Sequence, residues 1–101
     1  MRIDVVVLAA VLAAMALPSR AAESVDLAGL VAACAPCHGP EGLAPDTLVP
    51  HLAGQNYGYL LSQLRAFHSG QRAHEEMRFM TRRMTEAEME ALADYYASLP
   101  R

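Results

Sequence analysis

The sequence contains no lysine, so all eight of its basic residues are arginines, and they stand against eleven acidic residues. The formal net charge is −3 at pH 7. Proteins that bind nucleic acid usually carry a basic stripe or arm that neutralises phosphates. This chain has neither, and its composition therefore excludes nucleic acid as a partner.

The sequence also lacks an apolar run long enough to span a bilayer, which takes about 20 residues. Its longest run, Val5–Leu17, follows Arg2 and precedes Ser19-Arg20-Ala21. A basic start, a short apolar segment and a small–x–small cleavage site are typical of a secretory signal peptide. We predict a signal peptide over residues 1–21 and one domain over residues 22–101, without stable membrane insertion after processing. The alternative is an uncleaved N-terminal anchor.

Cysteine is scarce as well, and the two cysteines present, Cys34 and Cys37, are followed directly by His38. This order predicts the attachment of a c-type haem, one per chain, by addition of both thiols to the haem vinyl groups, with the imidazole under the iron. A thioredoxin-like redox pair does not need the histidine, and no strand–helix–strand pattern surrounds the motif. A zinc site would need a second ligand pair at suitable spacing.

A domain of about 80 residues is marginal as a free-standing hydrophobic core and usually needs a covalent or metal staple. A covalently held haem would provide one, because the helices can wrap it as a large apolar body. Haem is attached to such motifs outside the cytoplasm, so the predicted signal peptide and the motif support each other.

The sequence predicts three helices and no repeat. The first is expected to have Ser24 as its N-cap and to end at the two cysteines. The segment Gly39–Pro50 is punctuated by proline and glycine and predicts a loop. The second helix begins near Asn56 and stops at Gly70.

The third helix has the clearest start signal, a capping box with Thr85 at N-cap and Glu88 at N3. Met84 and Met89 are spaced as a hydrophobic staple around this start, and Pro100 ends the helix. Before it, Gln71–Glu76 predicts a loop, and Met77–Met84 predicts either a loop or a short helical stretch.

The chain resembles the small bacterial class I c-type cytochromes, in particular one half of the periplasmic dihaem cytochromes or the haem subunit of flavocytochrome-type sulfide dehydrogenases. The resemblance rests on Gly29, Cys34-Ala35-Pro36-Cys37-His38-Gly39, Pro50-His51-Leu52-Ala53-Gly54-Gln55, Tyr59-Leu60, Gln63-Leu64, Phe67, Gly70, Arg72, a methionine loop and Tyr95-Tyr96. It implies an all-α, class I cytochrome c fold with three main helices around one covalent haem. It also implies that Gly29 lets the first and last helices cross closely. Related chains often have a proline shortly after the methionine of this loop and mostly neutral residues beyond it. This sequence has Arg78, Phe79, Arg82 and Arg83 there instead.

The resemblance also implies a second iron ligand, a methionine in the loop before the last helix. Met77, Met80 and Met84 all lie there, and the predicted staple accounts for Met84. Met77 stands eight positions before Thr85, where the resemblance places the ligand, while Met80 stays open as an alternative. His74 is a further candidate, for ligation by two histidines.

Pro50 matches the family proline whose carbonyl accepts the proton on the far nitrogen of the haem-ligating imidazole. The expected site therefore consists of Cys34, Cys37, His38, Met77 and Pro50, with His38 and Met77 as iron ligands.

The expected function is electron transfer in the periplasm, one electron at a time, without catalysis of a substrate reaction. Methionine ligation raises the potential of a haem. Redox proteins are the expected partners. Two alternatives are a haem subunit that accepts electrons from a flavoprotein in a sulfide dehydrogenase, and a ligand-binding haem protein with an open iron site.

Overall fold

The computed structural model describes residues 24–101. The predicted signal peptide, residues 1–21, lies outside them. The described chain contains four helices and no strand, in the order α1 (Leu27–His38), α2 (Tyr57–Ser69), α3 (Glu75–Thr81) and α4 (Glu86–Ser98). The all-α prediction is confirmed, with a fourth, short helix beside the three main ones. Within the described range, no helix has the length and apolarity needed to cross a membrane.

Helix α1 begins two residues later than predicted, because its N-cap is Asp26 and not Ser24. The Asp26 carboxylate accepts a hydrogen bond from the Gly29 amide at 3.0 Å, and so satisfies one of the amides left free at a helix start. A Cβ at Gly29 would first meet this same carboxylate, at 2.3 Å. A side chain at position 29 would therefore collide with the cap of its own helix.

The predicted ends of α2 and the start of α4 are confirmed. Asn56 caps α2 by accepting from the Tyr59 amide at 3.1 Å, and Gly70 ends the helix in the left-handed conformation, φ 82°. At α4 the capping box is complete. The Thr85 hydroxyl accepts from the Glu88 amide at 3.1 Å, and the Glu88 carboxylate accepts from the Thr85 amide at 2.9 Å.

Helix α3 occupies part of the segment predicted to be a loop, since Glu75 and Glu76 form its first turn. Acidic residues there interact favourably with the positive end of the helix dipole. The N-cap is His74, whose Nδ1 accepts from the Met77 amide at 3.3 Å. A seven-residue helix is too short to produce a clear periodic pattern. The sequence therefore did not decide between a loop and a helix over the residues from Met77 onward.

The core forms where α2 packs against α4. Its buried cluster consists of Leu60, Leu61, Met84, Met89, Leu92, Ala93 and Tyr96. Both methionines of the predicted staple lie in this cluster. Helix α1 packs on α4, and α3 packs on α2, so the helix contacts run in the order α1, α4, α2, α3. The motif with His38 and the helix with Met77 are thus attached to opposite ends of this series.

Candidate haem site

His38 is the best-defined residue of the site. It is the last residue of α1 and is buried, with 7% of its surface exposed. Its Nδ1 lies 2.9 Å from the Pro50 carbonyl oxygen. A carbonyl can only accept, so Nδ1 carries the proton and donates it. The lone pair of the neutral imidazole is then on Nε2, where it can bind a metal.

Backbone hydrogen bonds stabilise the loop between α1 and α2 in the conformation that brings Pro50 to His38. The Gly42 carbonyl accepts from the Leu52 amide at 2.8 Å and from the Ala53 amide at 3.0 Å. Gly39 opens the loop at φ 86°, and a Cβ there would lie 1.9 Å from the Leu43 carbonyl oxygen. Glycine is therefore required at the position directly after the imidazole.

His51 is a structural part of this loop, which its sequence context did not reveal. Its Nδ1 accepts a hydrogen bond from the Ala44 amide at 2.7 Å. This bond closes the loop on the residue next to Pro50. A lone histidine among prolines and glycines gives no sequence signal for such a contact, because the partner is a backbone amide seven residues away.

The two cysteines lie on the last turns of α1, one turn apart, and both are free thiols. Cys34 is half-buried and Cys37 is exposed. Because residues three and four apart share one face of a helix, the motif brings Cys34, Cys37 and His38 together at the end of α1.

The thiol of Cys34 lies in a partly apolar setting beside Tyr96. Burial raises the pKa of Cys34, and the neighbouring phenol offsets part of this rise. Burial likewise raises the pKa of Tyr96. The nearby Cys34 thiol also raises the pKa of Tyr96. The buried Tyr96 hydroxyl nevertheless has no hydrogen-bond partner of ordinary geometry in the described structure.

This donor set fits a covalently attached haem. Two unpaired thiols are available for thioether bonds, and an oriented imidazole presents Nε2 to an iron. The residues that would hold the group are Cys34, Cys37 and His38, with Pro50 fixing the imidazole.

The three methionines before α4 differ in location and burial. Met84 is buried in the core between α2 and α4, which leaves it unsuited to reach an iron. Met77 and Met80 are partly buried and lie three residues apart on α3, so they share a helix face. His74 is held by its capping bond to Met77, and its ring stands edge-on to Phe67 at 6.1 Å between ring centroids.

A comparison with protein families matches residues 28–100 to cytochrome c. The chain belongs to the cytochrome c family. The predicted family, the covalent haem c cofactor and the general function, electron transfer, are thereby confirmed.

Individual relatives agree with this assignment. Cytochrome c-552 of Acidithiobacillus ferridurans is 41% identical over 69 residues, which are 68% of this chain and 30% of the relative. Cytochrome c-553 of Nitratidesulfovibrio vulgaris is 32% identical over 99 residues, 94% of this chain and 97% of the relative. The solved thiosulfate dehydrogenase of Marichromatium purpuratum matches with a TM-score of 0.66 and 38% identity, over 80% of this chain and 21% of that one.

The chain spans about a third of the length of the first curated relatives it matches, several of which are cytochromes c4. The similarity to one part of longer cytochromes agrees with the resemblance drawn from the sequence.

Sequence reasoning missed three residues that connect α2 to α3: His68, Arg78 and Thr81.

Proposed function

We propose that this protein is a monohaem electron carrier of the periplasm, with His38 and Met77 as the axial ligands of its haem. The observation that supports this most directly is the 2.9 Å hydrogen bond from His38 Nδ1 to the Pro50 carbonyl. It selects the tautomer with a free Nε2 and fixes the plane of the ring. Such support from outside the ligand shell also raises the basicity of a ligand.

The bound haem would supply a reversible one-electron centre. His38 would bind the iron through Nε2. Met77 would bind it through its thioether, which raises the potential relative to a second imidazole. Because both of these side chains would hold the iron, we expect no open position for a substrate and assign the chain no catalytic residue.

We predict that Met77→Ala abolishes the weak far-red charge-transfer band of the oxidised protein and lowers its potential, because both depend on the iron–sulfur bond. Met80→Ala and Met84→Ala should keep the band. Met84→Ala should be the less stable of these two, since truncating a buried methionine costs about 2–5 kcal/mol and Met84 lies in the core. Visible spectra and redox titration of the purified variants test this.

The same series identifies the ligand if the assignment is wrong. A band that survives Met77→Ala and disappears in Met80→Ala moves the ligand by about one helical turn. A parent protein without the band argues against methionine, and His74→Ala then tests ligation by histidine. Carbon monoxide binding by the reduced, high-spin parent would support the open-site alternative.

A second candidate function is that of an electron-accepting subunit in an enzyme complex. It is supported by relatives named thiosulfate dehydrogenase electron acceptor. The flavoprotein partner expected from the sequence is a proposal of the same kind. Gel filtration of the native protein, with flavin analysis of the haem-containing fraction, separates the cases: a free carrier elutes without flavin and no larger than the full chain of 10.9 kDa.

A further inference from the structure

Helix α3 carries Met77 yet has only seven residues. Isolated helices shorter than about 12–15 residues are marginal in water, so tertiary contacts must hold α3 in place. Among the described helices, α3 packs against α2 alone. The position of the Met77 thioether therefore depends on how firmly α3 is attached to α2.

Arg78, the residue after Met77, provides one attachment. Its Nη1 donates to the carbonyls of Phe67, at 3.2 Å, and of His68. These carbonyls belong to the last turn of α2, where the helix dipole is negative. The Phe67 carbonyl also accepts from the Gly70 amide at 3.2 Å. The guanidinium thus caps α2 while it holds α3. It also lies over Gly70, where an added Cβ would be 3.0 Å from Nη1.

A second attachment runs from α2 to the backbone of Met77 itself. His68 Nδ1 donates to the Thr81 carbonyl at 2.8 Å, at the end of α3. The Thr81 hydroxyl donates to the Met77 carbonyl, also at 2.8 Å. Thr81 is fully buried and both hydrogen bonds are partly buried, which limits the competition of water for them.

We infer that Arg78 and His68 are positioning residues that form a latch between α2 and α3 and keep Met77 on the iron. This inference rests on the proposed ligation by Met77. Arg78 is one of the residues at which the sequence departs from the family pattern, and in this latch it holds α3 to the end of α2. The latch opposes the movement of α3 that would let another ligand replace the thioether.

Imidazole binding to the oxidised, haem-containing protein tests the latch. Exogenous imidazole can bind the iron only when the methionine has left, so its apparent affinity reports how often α3 opens. We expect Arg78→Gln and His68→Leu each to bind imidazole about tenfold more tightly than the parent. Arg83→Gln is the matched control, since it removes the same charge from the same segment at an exposed position, and its affinity should equal that of the parent.

The global unfolding midpoint, measured by circular dichroism, distinguishes a latch from a general loss of stability. The latch predicts that the far-red band is lost on heating well before the helices unfold, in the two latch variants but not in Arg83→Gln. Imidazole affinities of Arg78→Gln and His68→Leu equal to the control would overturn the inference while methionine ligation stands. If Arg78→Gln does not accumulate, His68→Leu decides by the same comparison. A parent without the band removes the ligation and the latch together.

Discussion

At the scale of single residues, the site depends on which ring nitrogen of His38 carries the proton. The hydrogen bond to Pro50 places the proton on Nδ1, and the lone pair on Nε2 follows from the chemistry of imidazole. The sequence placed Pro50 in this role only through a family resemblance. The structure shows the physical basis, a loop whose backbone hydrogen bonds carry the Pro50 carbonyl to the end of α1.

We predict that the double variant Cys34→Ala, Cys37→Ala loses covalently bound haem. The two thiols are the only ones in the chain, so no other thioether bond can form. Denaturation with acid–acetone extraction should remove all haem from the double variant and none from the parent.

The single variants Cys34→Ala and Cys37→Ala serve as controls for this experiment. Each keeps one thiol, and any haem attached through it should stay with the denatured polypeptide. Covalent haem in the double variant would contradict the attachment site.

At the scale of elements, α4 and α3 show that some helices are fixed by local sequence signals and others by tertiary contacts. The capping box at Thr85 and Glu88 is a local signal, and the structure contains it as predicted. Helix α3 has no comparable signal. It is stabilised by Arg78 and His68, whose partners are backbone carbonyls on a neighbouring element.

We predict that Thr85→Ala lowers the free energy of unfolding by about 1 kcal/mol, because it leaves the Glu88 amide at the start of α4 without its capping acceptor. In a domain of this size such a loss lowers Tm by about 4–8 °C. Chemical denaturation of the haem-containing protein measures it.

Thr47→Ala is the matched control, since Thr47 is exposed in the loop between α1 and α2. It should change the free energy of unfolding by less than about 0.5 kcal/mol. Equal effects of the two substitutions would show that the cap contributes nothing beyond an ordinary surface change.

At the scale of the whole molecule, the described helices build one small core around α2 and α4. The remaining apolar contacts of such a short chain would come from the haem, held by the end of α1. We therefore expect the fold to be less stable without its haem.

We predict that the mature protein begins at Ala22, or at Glu23 if cleavage shifts by one residue, and that it is recovered in the soluble periplasmic fraction. The reason is the short apolar run Val5–Leu17 with Ser19-Arg20-Ala21 behind it. N-terminal sequencing after cell fractionation tests this. A protein that begins at Met1 in the membrane fraction would instead be an anchored cytochrome.

The sequence by itself determined the features that depend on neighbouring residues: the Cys34–His38 motif, the start of α2 near Asn56, the capping box at Thr85, and the stop at Gly70. In each case the interacting groups lie within a few positions, so their spacing is informative. Such local start and stop signals also placed α2 and α4 in the sequence.

Only the tertiary structure decided the contacts that join distant segments. His51 closes its loop on Ala44, and His68 and Arg78 bind α3 to α2. The partners of these side chains are mostly backbone groups, which every residue possesses, so no residue type marks them in the sequence. Their selection depends on which elements the core brings together.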